Sequence, residues 1–302
     1  MSEVKKIATR MSYGNALVEL GKEHDDLLVF EADLGGATKT TIFRDVFPDR
    51  HIECGIAEAN MVGMAAGIST TGVVPFVSSF AMFTAGRAFD QLRNSVGYPH
   101  LNVKVGATHQ CNEDFALMRT IPGMVVICPS DDVEARAAVK AAYEYKGPVY
   151  MRFGRVAVPV INDNPDYKFE IGKGVTLKDG NDLTIIANGI LVSEALQAAE
   201  MLAKDGINAR VINMHTIKPL DKDLVIKAAK ETGKIVTVEE HSVIGGLGSA
   251  VADVVSEENL APVHKIGVQD VFGESALAEE LLEKYGLDAK GIYNNIKDYL
   301  NK

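Results

Sequence analysis

From Ala59 to Gly86 the chain carries no charged side chain. A run of that length either crosses a bilayer or is buried in protein. Gly63, Gly67, Ser69, Thr70, Thr71, Gly72 and Pro75 punctuate it. Such a break at mid-segment argues against a membrane span. The reading is a helix of small residues, a turn at Thr71-Gly72, then a buried strand. Both elements are expected to be buried on all sides, in a core or at a subunit interface.

The rest of the sequence sets the scale of that core. The chain has 302 residues, 47% of them hydrophobic, which suits two α/β domains and excludes a disordered chain. Net charge is −10 and no run of Lys and Arg stands out, so no nucleic-acid partner is expected. Cys54, Cys111 and Cys128 form no Cys-x-x-Cys pair, and they fit reduced thiols in a cytoplasmic protein. The N-terminus is charged at once and has no apolar segment, so no signal peptide is read there.

Short apolar runs alternate with helical spacing. Strands are expected at Leu27–Glu31, His51–Cys54, Val73–Ser79, Asn102–Gly106, Val125–Pro129 and Pro148–Arg152. Helices are expected at Met11–Lys22, Ala57–Ser69, Ala85–Ser95 and Asp131–Tyr145. The second half continues with strands at Leu183–Ala187, Ala209–Asn213 and Ile235–Val238 and helices at Leu191–Asp205 and Gly248–Glu257. Strands separated by helices imply α/β architecture: two domains, each a largely parallel sheet flanked by helices, with function where strands end and helices begin. The polar stretch Asn162-Asp-Asn-Pro-Asp166 reads as a linker turn, since Pro165 and the lack of a later Glu spoil a calcium loop. The domains are placed at 1–160 and 181–302, with a linker region over 161–180.

Several residues could carry chemistry. Glu58 opens the small-residue helix with Met61, Met64 and Ile68 following, so poor solvation favours its protonated form and the helix N-terminus favours the anion. Asp33 follows a strand and precedes Gly35-Gly36, where a carboxylate can approach a ligand or make a turn. His109 also follows a strand. Arg10 and Arg155 would suit a phosphorylated substrate if they converge on one cleft. Phe80 and Phe83, at a strand-to-helix junction, offer core packing or a stacking surface for a heteroaromatic ring. Gly245-Gly-Leu-Gly248 could cradle a phosphate, but it lacks the spacing of a dinucleotide or P-loop motif, and a tight turn explains it better.

In order along nearly the whole chain, these motifs resemble the C-terminal half of transketolase. The resemblance rests on Ala8-Thr-Arg-Met-Ser12, Glu31-Ala-Asp-Leu34, Gly55-Ile-Ala-Glu-Ala-Asn-Met61 and Ser78-Ser-Phe-Ala-Met-Phe83. It continues through Thr108-His-Gln110, Ala116-Leu-Met-Arg-Thr-Ile-Pro-Gly-Met124, Glu239-Glu-His241 and Gly245-Gly-Leu-Gly248. It implies a pyrimidine-binding domain followed by a C-terminal domain. It also implies a transferase of the pentose phosphate pathway that uses thiamine diphosphate and magnesium. Glu58 would be the catalytic contact to the cofactor's ring nitrogen, with Asp33, Phe80 and Phe83 around the cofactor and Arg10, His109 and Arg155 on the sugar phosphate. The Gly-Asp-Gly…Asn signature that holds the diphosphate and metal in the family's other half does not occur here. The resemblance therefore implies an N-terminal partner subunit that holds the magnesium, in a heterotetramer with two copies of each chain.

Three departures from the family pattern stand out. Roughly a dozen residues between the strand and Thr108-His-Gln110 are absent, and long ordered loops of that size are usually functional. His109 matches either of two family histidines, and Gln110 points to the second. Ala37 replaces a serine, and Gly86 stands where the aromatic pocket has a tyrosine. Two other readings stand beside the split transketolase. One is a partner-binding module without activity. The other is a different thiamine diphosphate enzyme, either deoxyxylulose-phosphate synthase-like or a 2-oxo acid dehydrogenase β subunit.

Overall fold

The structure is a computed structural model and describes residues 5–164 and 166–301. Met1–Val4, on which the reading of the N-terminus partly rests, and Pro165 of the polar turn lie outside the described residues.

The first part runs β1 (Lys6–Ala8), α1 (Thr9–Glu23), β2 (Leu27–Glu31), α2 (Gly35–Thr38), α3 (Thr41–Val46), β3 (His51–Glu53), α4 (Glu58–Ser69) and β4 (Val74–Phe80). Two π-helical segments follow, then β5 (Lys104–Thr108), α5 (Asp114–Thr120), β6 (Val125–Ile127), α6 (Asp132–Glu144), β7 (Val149–Phe153) and β8 (Ala157–Pro159). The second part runs β9 (Val175–Lys178), β10 (Leu183–Ala187), α7 (Leu191–Lys204), β11 (Ala209–Asn213), β12 (Thr216–Lys218) and α8 (Lys222–Thr232). It ends with β13 (Ile235–Ser242), α9 (Leu247–Glu257), β14 (Val263–Val268), α10 (Ala278–Lys284) and α11 (Ala289–Leu300).

Two sheets carry the fold. One has the order β12-β6-β7-β5-β4-β2-β3 and the other β14-β13-β10-β11-β9. Each is parallel except for one antiparallel edge, β12 on β6 and β9 on β11. Parallel strands must be covered on both faces, which is why β4, β5, β7 and β10 read as near-continuous apolar runs. On one face of the larger sheet, α1 and α6 bury Tyr13, Leu17, Leu20, Ala135, Ala138 and Val139. On the other, α4 and the π segments bury Met61, Val62, Ala65, Leu92 and Val96. Val175–Lys178, within the stretch read as linker, is an edge strand of the smaller sheet, and Thr216–Lys218 crosses over to the larger one.

Strand β4 is buried as expected, and within this single chain α4 is buried on one side, which leaves its other face for the expected subunit interface. Met61, Val62, Ala65 and Ala66 face the core, while Asn60, Gly63, Met64 and Gly67 face outward at helical spacing. The expected α-helix Ala85–Ser95 is instead two π-helical segments, Phe83–Arg87 and Gln91–Gly97. Ala88 N–H reaches back five residues to Phe83 and Tyr98 N–H to Arg93, which lets each turn take in an extra residue. Among the described residues, no helix is long and apolar enough to cross a membrane.

The topology fixes where a site can form. The chain leaves β2 on one side to make β3, then returns across it to make β4. Where the winding reverses, the strand ends open a crevice. Around the ends of β2, β3, β4, β5 and β7 stand Asp33, Glu58, Phe80, His109 and Arg155 respectively.

Candidate active site

Glu58 is the first residue of α4 and its side chain is 1% exposed. The surroundings are not purely apolar as the sequence suggested. Arg87 Nη1 donates to both carboxylate oxygens, 2.9 Å from each. The Arg87 guanidinium also lies over the Phe83 ring, 4.7 Å from its centroid. Phe83 stacks against Phe80 at 5.8 Å and 18°, and Phe80 contacts the His109 ring at 4.1 Å. Carboxylate, aromatic pair and imidazole thus form one continuous wall. Ile56, Met64 and Met82 remain exposed at 73%, 45% and 53%, and Met82 lines the same cleft as Phe80 and His109.

The second group is cationic. Antiparallel pairing of β1 with β8 sets Ala8 opposite Ala157. Thr9 Oγ1 accepts from Gly154 N–H at 2.7 Å, and Arg10 N–H donates to the Gly154 carbonyl at 3.4 Å. Arg10 and Arg155, remote in sequence, are thereby neighbours. Burial and Arg155 hold the Arg10 guanidinium below its usual value. Arg10 Nη1 donates to the Ala37 carbonyl at 2.8 Å, and its Nε is buried without a partner. Burial first, then Arg10 and Arg155, push the His109 imidazole down to about 4. His109 is therefore neutral near pH 7, and the two arginines supply the positive charge. Its Nδ1 lies 2.9 Å from Thr108 Oγ1, and its backbone holds φ 72°. Left-handed backbone at a histidine is uncommon, and such strain clusters at functional sites.

Phe80, His109 and Arg155 also line a cleft of about 290 Å³ whose far wall comes from the second part of the chain, with Glu240, Leu281 and Tyr285. Asp33 stands apart. It is exposed, has φ 59°, and its N–H donates to Glu53 Oε1 at 2.7 Å. The structure does not bring it into contact with the other candidates.

The buried acid at this strand end is Glu31. It accepts from Ala32 and Leu34 N–H and from the hydroxyls of Thr38 and Thr40, fixing the turn that carries Asp33 and Ala37. Burial, helped by the charge of Glu53, raises its carboxyl to about 7 against the hydroxyls of Thr38 and Thr40 and the Ala32 N–H. Sequence reasoning also missed Arg87, although its spacing of four from Phe83 on a helical segment was a usable signal. Gly245-Gly-Leu-Gly248 is not open to a phosphate. Glu239 already accepts from Leu247 and Gly248 N–H at 2.6 and 2.8 Å, and a Cβ on Gly246 would lie 2.0 Å from its Oε2. The carboxylate caps α9, so the glycines make the tight turn that lets it approach. The three cysteines are free, and burial raises the thiols of Cys111 and Cys128 to about 12, which leaves them unreactive.

Comparison with known proteins shows the family. The family described as the transketolase pyrimidine binding domain matches residues 5–160, and that described as the transketolase C-terminal domain matches residues 172–292. A solved structure described as "Split gene transketolase, inactive beta4 tetramer" superposes with a TM-score of 0.92 at 53% identity, covering 98% of this chain and 99% of that one. The 6-deoxy-6-sulfo-D-fructose transketolase subunit SqwH of Clostridium sp. is 44% identical over 94% of this chain and 91% of its own. An apulose-4-phosphate transketolase subunit from Phocaeicola vulgatus is 41% identical over 98% of both chains.

Proposed function

The chain belongs to the transketolase family, and from that premise we propose that it is the C-terminal subunit of a split transketolase. In this reading it joins an N-terminal subunit to move a two-carbon ketol unit from a ketose phosphate to an aldose phosphate. The observation that carries the reading is Glu58, a buried carboxylate at a helix start beside the Phe80–Phe83 stack. Residues 5–160 would form the cofactor half of the site and the second sheet the C-terminal domain.

The residues fit half of thiamine diphosphate. A flat aminopyrimidine suits an aromatic face with a carboxylate at its edge. The diphosphate and magnesium would fall to the partner, in keeping with the names of relatives that are themselves subunits. When bound, the cofactor supplies the electron sink for breaking and making the carbon–carbon bond. Glu58 would hold a proton against the ring nitrogen, which needs a carboxyl shielded from water. Phe80 and Phe83 would fix the ring plane, and Asp33 would face the cofactor from the subunit boundary. Arg10 and Arg155 would hold the anionic end of the sugar. Neutral His109 would bond a sugar hydroxyl or phosphate oxygen without adding charge.

The test is acceptor-dependent ketol transfer by this chain, by a candidate N-terminal subunit, and by their mixture, with thiamine diphosphate and magnesium. Activity in the mixture alone supports the reading, and full activity of this chain by itself rejects it. One observation favours a second reading, a partner module without turnover. Strand β5 ends at Thr108 and α5 begins at Asp114, so only His109–Glu113 connect them. A stable mixed complex that gains transfer activity only when the connection is lengthened would select that reading.

A further inference from the structure

We propose that in the unassembled chain Arg87 fills the aminopyrimidine subsite, and that its side chain must swing out before cofactor can reach Glu58. This rests on the reading of Glu58 as the cofactor's partner.

A carboxylate 1% exposed needs a compensating cation or donors. Among the described residues, Glu58 takes side-chain hydrogen bonds from Arg87 alone. One nitrogen, Nη1, sits astride both oxygens, and a shared donor of this kind is weaker than a parallel two-nitrogen fork. The guanidinium also covers the Phe83 face. A flat cation with an N–H on the carboxylate and its face on an aromatic ring meets the same demands as a protonated aminopyrimidine. One carboxylate edge and one ring face cannot serve both.

The two partners differ in freedom. The Arg87 side chain is 50% exposed and Glu58 is 1% exposed, so only the arginine can leave for water without stranding itself. Arg87 ends the π-helical segment Phe83–Arg87. Beside it, Gly86 has no atom from beyond its chain neighbours and its own helical backbone within 4 Å of where a Cβ would stand, so that side of the segment is open. That open space lies on the exposed side of the segment, where Met82 is also exposed. A partner covering this face would meet the displaced guanidinium.

The experiment is calorimetric titration of the full chain, without partner, using the free aminopyrimidine half of thiamine as its hydroxymethyl derivative. Arg87→Ala is expected to bind it about tenfold more tightly than wild type, equivalent to ~1.4 kcal/mol. Arg87→Gln keeps a neutral donor on Glu58 and should show a smaller gain, which keeps the test open if the alanine variant folds poorly. Adding Glu58→Gln to either variant should remove the gain. Affinity in both Arg87 variants equal to or below wild type overturns the proposal while leaving the cofactor reading intact. Absence of binding by every variant at millimolar ligand overturns the cofactor reading, and this proposal with it.

Discussion

The Arg152 guanidinium and the Asp114 carboxylate lie 3.5 Å apart with 3% and 0% of their side chains exposed. Arg152 also donates to the carbonyls of Cys111 and Glu240, and Tyr150 donates to Asp114. Its second nitrogen thus ties the larger sheet to β13 of the smaller one. Removing one member of such a pair strands the other charge. Arg152→Ala should therefore cost about 3–5 kcal/mol in urea unfolding and loosen the sheet-to-sheet contact. A loss under about 1 kcal/mol, the range of exposed pairs, would show that the contact is solvated.

Gly106 of β5 makes room for Tyr13. A Cβ there would stand 2.2 Å from the Tyr13 hydroxyl, which is bonded to Ser78 Oγ at 2.7 Å. Tyr13 is fully buried and stacked on Phe153, so it has nowhere to retreat. Gly106→Ala should destabilise by about 1–3 kcal/mol or more. The double variant with Tyr13→Phe should recover little in the same unfolding assay, because ring carbon Cζ would still lie 2.3 Å from the new Cβ, whereas Tyr13→Ala, which removes the ring, should relieve the clash itself.

Glu239 gives a signed pH prediction. Burial raises its carboxyl from 4.5 to about 7 in the folded chain, against the two N–H groups it caps. Between those values the folded state binds more protons than the unfolded one. Its contribution is thus full below 4.5 and is lost as pH rises through 7. Glu239→Gln does not ionise, so its melting temperature relative to wild type should rise from pH 5 to pH 8. A constant difference across that window would contradict the assignment.

Arg10 and Arg155 should act on the anionic end of the substrate. With the assembled enzyme, each alanine variant should raise KM for a phosphorylated donor about tenfold or more, the scale of a hydrogen bond to a charged group. An unphosphorylated donor should lose far less. Equal losses for both donors would place the arginines in the framework.

The main strands were legible because parallel strands covered on both faces are predominantly apolar, as Val74–Phe80 and Leu183–Ala187 are. Helix α7 was legible from its spacing and its following Asp205-Gly206 turn. Three-residue β12 was not, since so short a run has no period, and its place in the larger sheet is set by pairing with β6. The π segments were hidden because runs of five and seven residues do not separate their period from that of an α-helix. In the candidate site, the places of Glu58, Phe80, Phe83 and His109 at strand and helix ends were legible, and the structure sets the last three in contact. The Glu58–Arg87 contact was not, because it joins residues 29 apart through side chains alone. The Glu239 cap was missed for a similar reason, since a glycine turn does not reveal the carboxylate that a preceding strand places beneath it.

On the proposed reading, Glu58 moves protons for a cofactor completed by a partner chain. Exchange of the thiazolium C2 proton of bound thiamine diphosphate, followed by NMR in the assembled complex with wild type and Glu58→Ala, tests this most directly. Slowing by about 10²-fold or more in the variant, with assembly and cofactor binding retained, is the predicted result. Exchange at the wild-type rate in the alanine variant would contradict it.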